Sequence, residues 1–60
     1  FRETRGEVYV RLGRWKEAID DLEYALNGTP ENPVVHRALA KAYEALGNKE
    51  LAAVHSQYAN

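Results

Sequence analysis

Apolar positions recur at helical spacing along almost the whole chain, and Gly, Asn and Pro punctuate them at regular intervals. In the first segment Arg5, Val8, Tyr9 and Leu12 share one side, predicting a helix over 2–12 with Val8, Tyr9 and Leu12 as its apolar part. Gly6 interrupts it at a cost of about 1 kcal/mol relative to Ala, which points to close approach of another helix. Gly13 ends the segment, because Gly readily takes the left-handed conformation that follows a helix. Trp15, Ala18, Ile19, Leu22, Ala25 and Leu26 then form a broad stripe, predicting a second helix from about Trp15 to Asn27. Glu17, Asp20, Asp21 and Glu23 fall largely outside that stripe, and Arg14 is a poor N-cap. Gly28 and Pro30 stop this helix.

Asn32-Pro33 opens a third helix, since Asn caps well and Pro suits the first helical position. Its inward set is Val35, His36, Leu39, Ala42, Tyr43 and Leu46. Gly47 ends it and Asn48 caps a fourth helix, where Leu51, Ala52, Val54, His55 and Tyr58 supply a thinner stripe. The chain stops at Asn60 before any stop signal. Four helices with very short links predict antiparallel neighbours, hence two helical hairpins.

The two halves are related. Tyr9 and Tyr43, Leu12 and Leu46, Gly13 and Gly47, Ala18 and Ala52, and Ala25 and Ala59 are each 34 residues apart. A period of that length is the signature of a repeat architecture, and it points to a binding scaffold. With these residues in place the chain resembles the tetratricopeptide repeat family. Gly6, Tyr9, Gly13, Trp15, Ala18, Leu22, Ala25 and Pro30 match that family's pattern in a first repeat; Leu39, Ala40, Tyr43, Gly47, Ala52 and Ala59 match or nearly match in a second. The resemblance implies an all-α fold: antiparallel helix-turn-helix hairpins stacked as a right-handed α-solenoid segment of about 1.75 repeats. Residues 1–32 form the first repeat, truncated at its N-terminal side, and 33–60 the second, truncated at its C-terminal side. The departures are also informative. Arg2 and Arg5 stand where the family has an aromatic and a Leu, predicting a frayed or atypical first helix. His36 takes the aromatic position of the second repeat, and Ser56 takes a large apolar position in its last helix.

Length supports the same picture. Sixty residues bury only about 60% of their unfolded surface, so two partial repeats are expected to be a piece of a longer protein with further repeats, a capping helix or a second copy beside them. No Cys is present, so no disulfide or thiolate metal site staples the chain; this fits any compartment, with the cytoplasm slightly favoured. No apolar run reaches the roughly 20 residues of a membrane span.

The net charge of −1 hides an asymmetry. Residues 1–16 are basic (Arg2, Arg5, Arg11, Arg14 and Lys16 against Glu3 and Glu7). Residues 17–32 carry Glu17, Asp20, Asp21, Glu23 and Glu31 and no base. Solvated helix faces account for this, and the acidic middle argues against a nucleic-acid partner. His36 and His55 stand without Cys, an HExxH motif or a paired carboxylate, so they read as structural rather than as a metal or catalytic site. His55 and Ser56, adjacent on a helix, point apart. No cofactor, metal or catalytic group is expected.

One constellation carries a functional expectation. Glu3 and Glu7 are four apart on the first helix; Arg37 and Lys41 are four apart on the third, offset by the same 34 residues. In the resembled family these positions line a concave surface that holds an extended peptide or a helix of a partner protein, with Val10, Arg11, Val34, Glu44 and Ala45 beside them. Either the two rows pair across the groove as exposed salt bridges worth about 0–1 kcal/mol each, or Arg37 and Lys41 receive acidic groups of a partner while Glu3 and Glu7 set register. Some family members clamp a peptide's terminal carboxylate with Lys and Asn; Glu3 and Glu7 stand there instead, which disfavours that mode. Two other roles stay open. One is assembly through the repeat ends, with Leu51, Val54 and Tyr58 at the edge. The other is a regulatory appendage of an enzyme encoded outside this segment.

Overall fold

The computed structural model describes residues 1–59, so the expected end of the second repeat at residue 60 lies outside the described residues. Four helices follow one another: α1 (Arg2–Arg11), α2 (Trp15–Ala25), α3 (Pro33–Ala45) and α4 (Lys49–Tyr58). They form two hairpins, α1 with α2 and α3 with α4. The hairpins meet mainly through α2 and α3, with α1 also touching α3. The second helix ends two residues before the Asn27 expected from its pattern; the chain leaves it through a turn at residues 26–28.

The turn chemistry explains the ends. Gly13 and Gly47 both have positive φ, 73° and 85°. Each follows a Leu in right-handed helical conformation, and each lets the chain fold back onto the last turn. Gly13 N–H donates to the Val10 carbonyl and Arg14 N–H to the Tyr9 carbonyl; Gly47 N–H donates to the Glu44 carbonyl and Asn48 N–H to the Tyr43 carbonyl. This is the same pair of bonds twice, and it satisfies carbonyls that would otherwise be orphaned at a helix end. Asn32 caps α3 by accepting from Val34 N–H and Val35 N–H at 3.0 and 3.4 Å, and Asn48 caps α4 by accepting from Leu51 N–H at 3.2 Å. Arg14 gives α2 no side-chain cap, as its chemistry predicts.

The core is built from Val10, Ala18, Leu22, Val35 and Leu39, with Tyr9, Trp15, Ile19, Ala25, Leu26, Ala38 and Tyr43 packed against it. The stripes expected for α2 and for most of α3 face inward. In α1 the expectation is corrected. Val8 and Leu12 are exposed, and the buried positions are Gly6 and Val10. The reason is the close approach at Gly6: a Cβ there would lie 2.7 Å from Leu22 Cγ and 3.3 Å from Asp21 Cβ, so this face of α1 is the one laid against α2. Leu46, just past the end of α3, is likewise exposed. In α4 only Ala52 and His55 are buried; Leu51, Val54 and Tyr58 face outward.

Candidate partner-binding groove

Helices α1 and α3 hold equivalent places in the two hairpins, and a groove of about 230 Å³ runs between them. It is lined by Glu7, Val10 and Arg11 from α1 and by Val34, Arg37, Ala38 and Lys41 from α3. Four of the six residues expected at a partner surface, Glu7, Arg11, Arg37 and Lys41, therefore line one groove. Val10, Val34 and Ala38 add apolar surface between them. Glu3 lies outside the lining and accepts a hydrogen bond from Asn32 Nδ2 at 3.4 Å. Glu44 is exposed and also outside it.

The charges in the groove are not spent on each other. Among the described residues the ion pairs involve Arg2, Arg5, Arg14 and His55 as the basic partners, so the expected salt bridges between Glu3 or Glu7 and Arg37 or Lys41 do not form. Three cations and one carboxylate line the groove, and its balance is positive. Long basic side chains here keep their hydration and their rotamer freedom, which is a cheaper arrangement than a fixed exposed ion pair.

Two polar clusters sit elsewhere, at positions that correspond between the hairpins. In the first, Asp21 is buried, contrary to the expectation that it lies outside the apolar stripe. Arg5 Nε and Nη2 donate to its two oxygens at 2.7 and 2.8 Å, and Arg2 Nε adds a bond of 3.1 Å. The Arg5 hydrogen bonds, opposed by burial and helped by Arg2, hold the Asp21 carboxyl down to about 2, while Asp21 raises the Arg5 guanidinium above its ordinary value. Arg2 also lies over the Tyr24 ring at 4.1 Å. The first turn of α1 is thus a regular helix; of the two expectations, frayed or atypical, it is the atypical one, with Arg2 and Arg5 anchoring this end by ion pairs to Asp21.

In the second cluster the rings of Tyr58, His36, His55 and Tyr43 stack in sequence, with centroids 5.0, 5.1 and 5.6 Å apart. His36 Nε2 lies 2.6 Å from the Pro30 carbonyl, and His36 Nδ1 lies 2.8 Å from His55 Nδ1. A carbonyl only accepts, so His36 Nε2 carries the proton. Neutral His36 then accepts at Nδ1 from the His55 Nδ1–H. His55 Nε2 faces Glu23 Oε2 at 3.8 Å, and the Tyr43 hydroxyl donates to the same oxygen at 2.6 Å. Burial pushes the His55 ring below its ordinary value against the pull of Glu23, with His36 adding to the depression. Burial, then the bond to Glu23, pushes the Tyr43 hydroxyl up to about 12. Both histidines serve as packed, hydrogen-bonded side chains. Their meeting was not legible in the chain, where they stand 19 residues apart.

The family pattern for the TPR repeat matches residues 6–47, more than half of the chain. The chain belongs to the TPR repeat family. No curated protein and no solved structure matches it. TPR repeats are in general protein–protein interaction modules and typically non-catalytic scaffolds. The helical hairpins, with their repeated turn at Gly13 and Gly47, are the fold such a repeat requires. No helix among the described residues is long and apolar enough to cross a membrane. Among the described residues no group of three or more His, Asp or Glu side chains could hold a metal ion.

Proposed function

We propose that this TPR segment is a non-catalytic scaffold that holds an acidic peptide or helix of a partner protein in the groove between α1 and α3. The observation that carries this reading is the set Arg11, Arg37 and Lys41 around Val10, Val34 and Ala38, with no ion pair among the described residues drawing those cations away from the groove. An apolar strip supplies the buried contact, and the cations choose a partner of opposite charge and speed its encounter. Glu7, alone among them in sign, sets the register of a bound segment by repelling acidic side chains at its own end of the groove.

A library of immobilised peptides with varied charge tests this. Retained sequences should be rich in Asp and Glu with interspersed apolar residues, and retention should weaken as salt rises, because exposed charges are screened within about 10 Å at 0.1 M. Retention with no charge preference, or a preference for Lys and Arg, would refute the reading.

A further inference from the structure

Arg2 and His36 are 34 residues apart, as are Asp21 and His55, and Tyr24 and Tyr58. The same three places therefore form the same contact in both hairpins. In the first, Arg2 bonds Asp21 and lies over Tyr24. In the second, His36 bonds His55 and stacks on Tyr58. One contact is held by groups that keep their charge across the neutral range; the other is held by two imidazoles.

We propose that the seat of α4 on α3 is a proton-operated contact, closed by the neutral His36–His55 pair and opened when both imidazoles are protonated. The bonding pattern fixes how many protons the seat accepts. His36 Nε2–H is committed to the Pro30 carbonyl and His55 Nδ1–H to His36 Nδ1. A first proton has one free nitrogen, His55 Nε2, and there it meets Glu23 of α2 at 3.8 Å. Both hydrogen bonds survive that step, and the new charge has a partner. A second proton has only His36 Nδ1, the acceptor of the inter-helix bond. It would set two N–H groups head to head across 2.8 Å, with a cation on each ring. The pair titrates as a unit, and the docked state refuses the second proton.

The groups facing the pair are few. From α2 comes Glu23; from α3 comes Tyr43, whose hydroxyl is bonded to Glu23; from the loop before α3 comes the Pro30 carbonyl; and on α4 itself Tyr58 lies against His36. Among the described residues Glu23 is the one acidic side chain facing the pair, and it reaches His55 rather than His36. What makes the pair decisive is the thinness of the seat: apart from His55, Ala52 is the single buried residue of α4. With the ring pair broken, little apolar burial remains to hold this helix. The Asp21 cluster stays ionised far below the histidine range, so the first hairpin does not respond.

Hydrogen exchange on the full chain, resolved by helix and corrected for intrinsic rates, tests the proposal from about pH 7.5 to about pH 5, the range in which imidazoles titrate. Each proton taken up on opening steepens the opening constant by about tenfold per pH unit. The open pair binds two protons and the docked pair at most one, on His55 Nε2, so toward pH 5 α4 amides should open with a slope of at least about one decade per unit while α1 and α2 keep their protection. His36→Phe, which keeps a ring and removes the base that refuses the second proton, should lower that slope by about one decade per unit. Imidazole nitrogen shifts of the unsubstituted protein give a second readout, in which the pair carries at most one charge while α4 stays protected. The proposal is overturned by a slope clearly below one decade in the unsubstituted protein, or by an equal slope in His36→Phe. It is overturned equally by imidazolium signals from both rings with α4 still protected. Loss of all four helices together, or an α4 already unprotected at the start, also contradicts a local seat.

Discussion

At Gly6 and Gly13 the same residue type does two different things. Gly13 has φ of 73° and open space around its missing side chain, whereas Gly6 sits in a helix with Leu22 Cγ 2.7 Å from where a Cβ would be. Gly6→Ala gains about 1 kcal/mol of helix propensity but drives a methyl into a fully buried Leu22, and such overpacking costs about 1–3 kcal/mol. The overpacking should win, because the clash reaches the branch point of Leu22 at 2.7 Å as well as its Cδ2 at 2.8 Å, and a rotation at the end of that side chain does not relieve it. Thermal melts should show a lower Tm for Gly6→Ala; a higher Tm would mean that α1 slides away from α2 at no cost. Asp21 makes a second prediction at this scale. Its folded carboxyl is held at about 2 against an ordinary 3.8, so it contributes stability that is fully present above 3.8 and lost as pH falls toward 2. Chemical denaturation as a function of pH should show that acid limb, and Asp21→Asn should flatten it while lowering stability at neutral pH. An unchanged acid limb in Asp21→Asn would place the titration elsewhere.

The helices themselves were largely legible in the chain. The Asn caps, the Pro at the start of α3 and the two turn glycines are local signals, written in the residues that make them, and they place the element starts and stops to within two residues. What the pattern did not reveal was set by contacts between elements. Val8 and Leu12 look inward by period, yet the packing buries Gly6 and Val10 instead, because Gly6 lets α1 approach Leu22 and Asp21 of α2. Asp21 looks solvated by type, yet two arginines of α1 neutralise it in the interface. The groove was partly legible because the repeat offset puts Glu7 and Lys41 at corresponding places. That its charges would stay unpaired depends on side-chain reach, which no spacing encodes. A prediction follows for the repeated turns. Gly13→Ala and Gly47→Ala each place a Cβ in left-handed backbone with no packing clash, so each should cost about 1–2 kcal/mol. The two losses should be similar in equilibrium unfolding, since the bonds are the same; a loss at one turn alone would break the equivalence of the hairpins.

The whole molecule is a thin layer, 27 × 23 × 14 Å, with its core in the middle and two faces of different character. One face carries the positive groove of α1 and α3; at the end of the layer α4 holds Leu51, Val54 and Tyr58 outward. In the proposed function the groove recognises a partner by charge. That reading is tested most directly by measuring the binding of the selected acidic peptides to the unsubstituted chain and to Arg37→Glu/Lys41→Glu, with circular dichroism of both. Arg37 and Lys41 are exposed and make no ion pair among the described residues, so helicity should be the same in the two proteins. The variant should lose acidic peptides by at least about tenfold, some 1.4 kcal/mol, with its helices intact. Equal binding by both proteins would contradict it and turn attention to the exposed edge of α4.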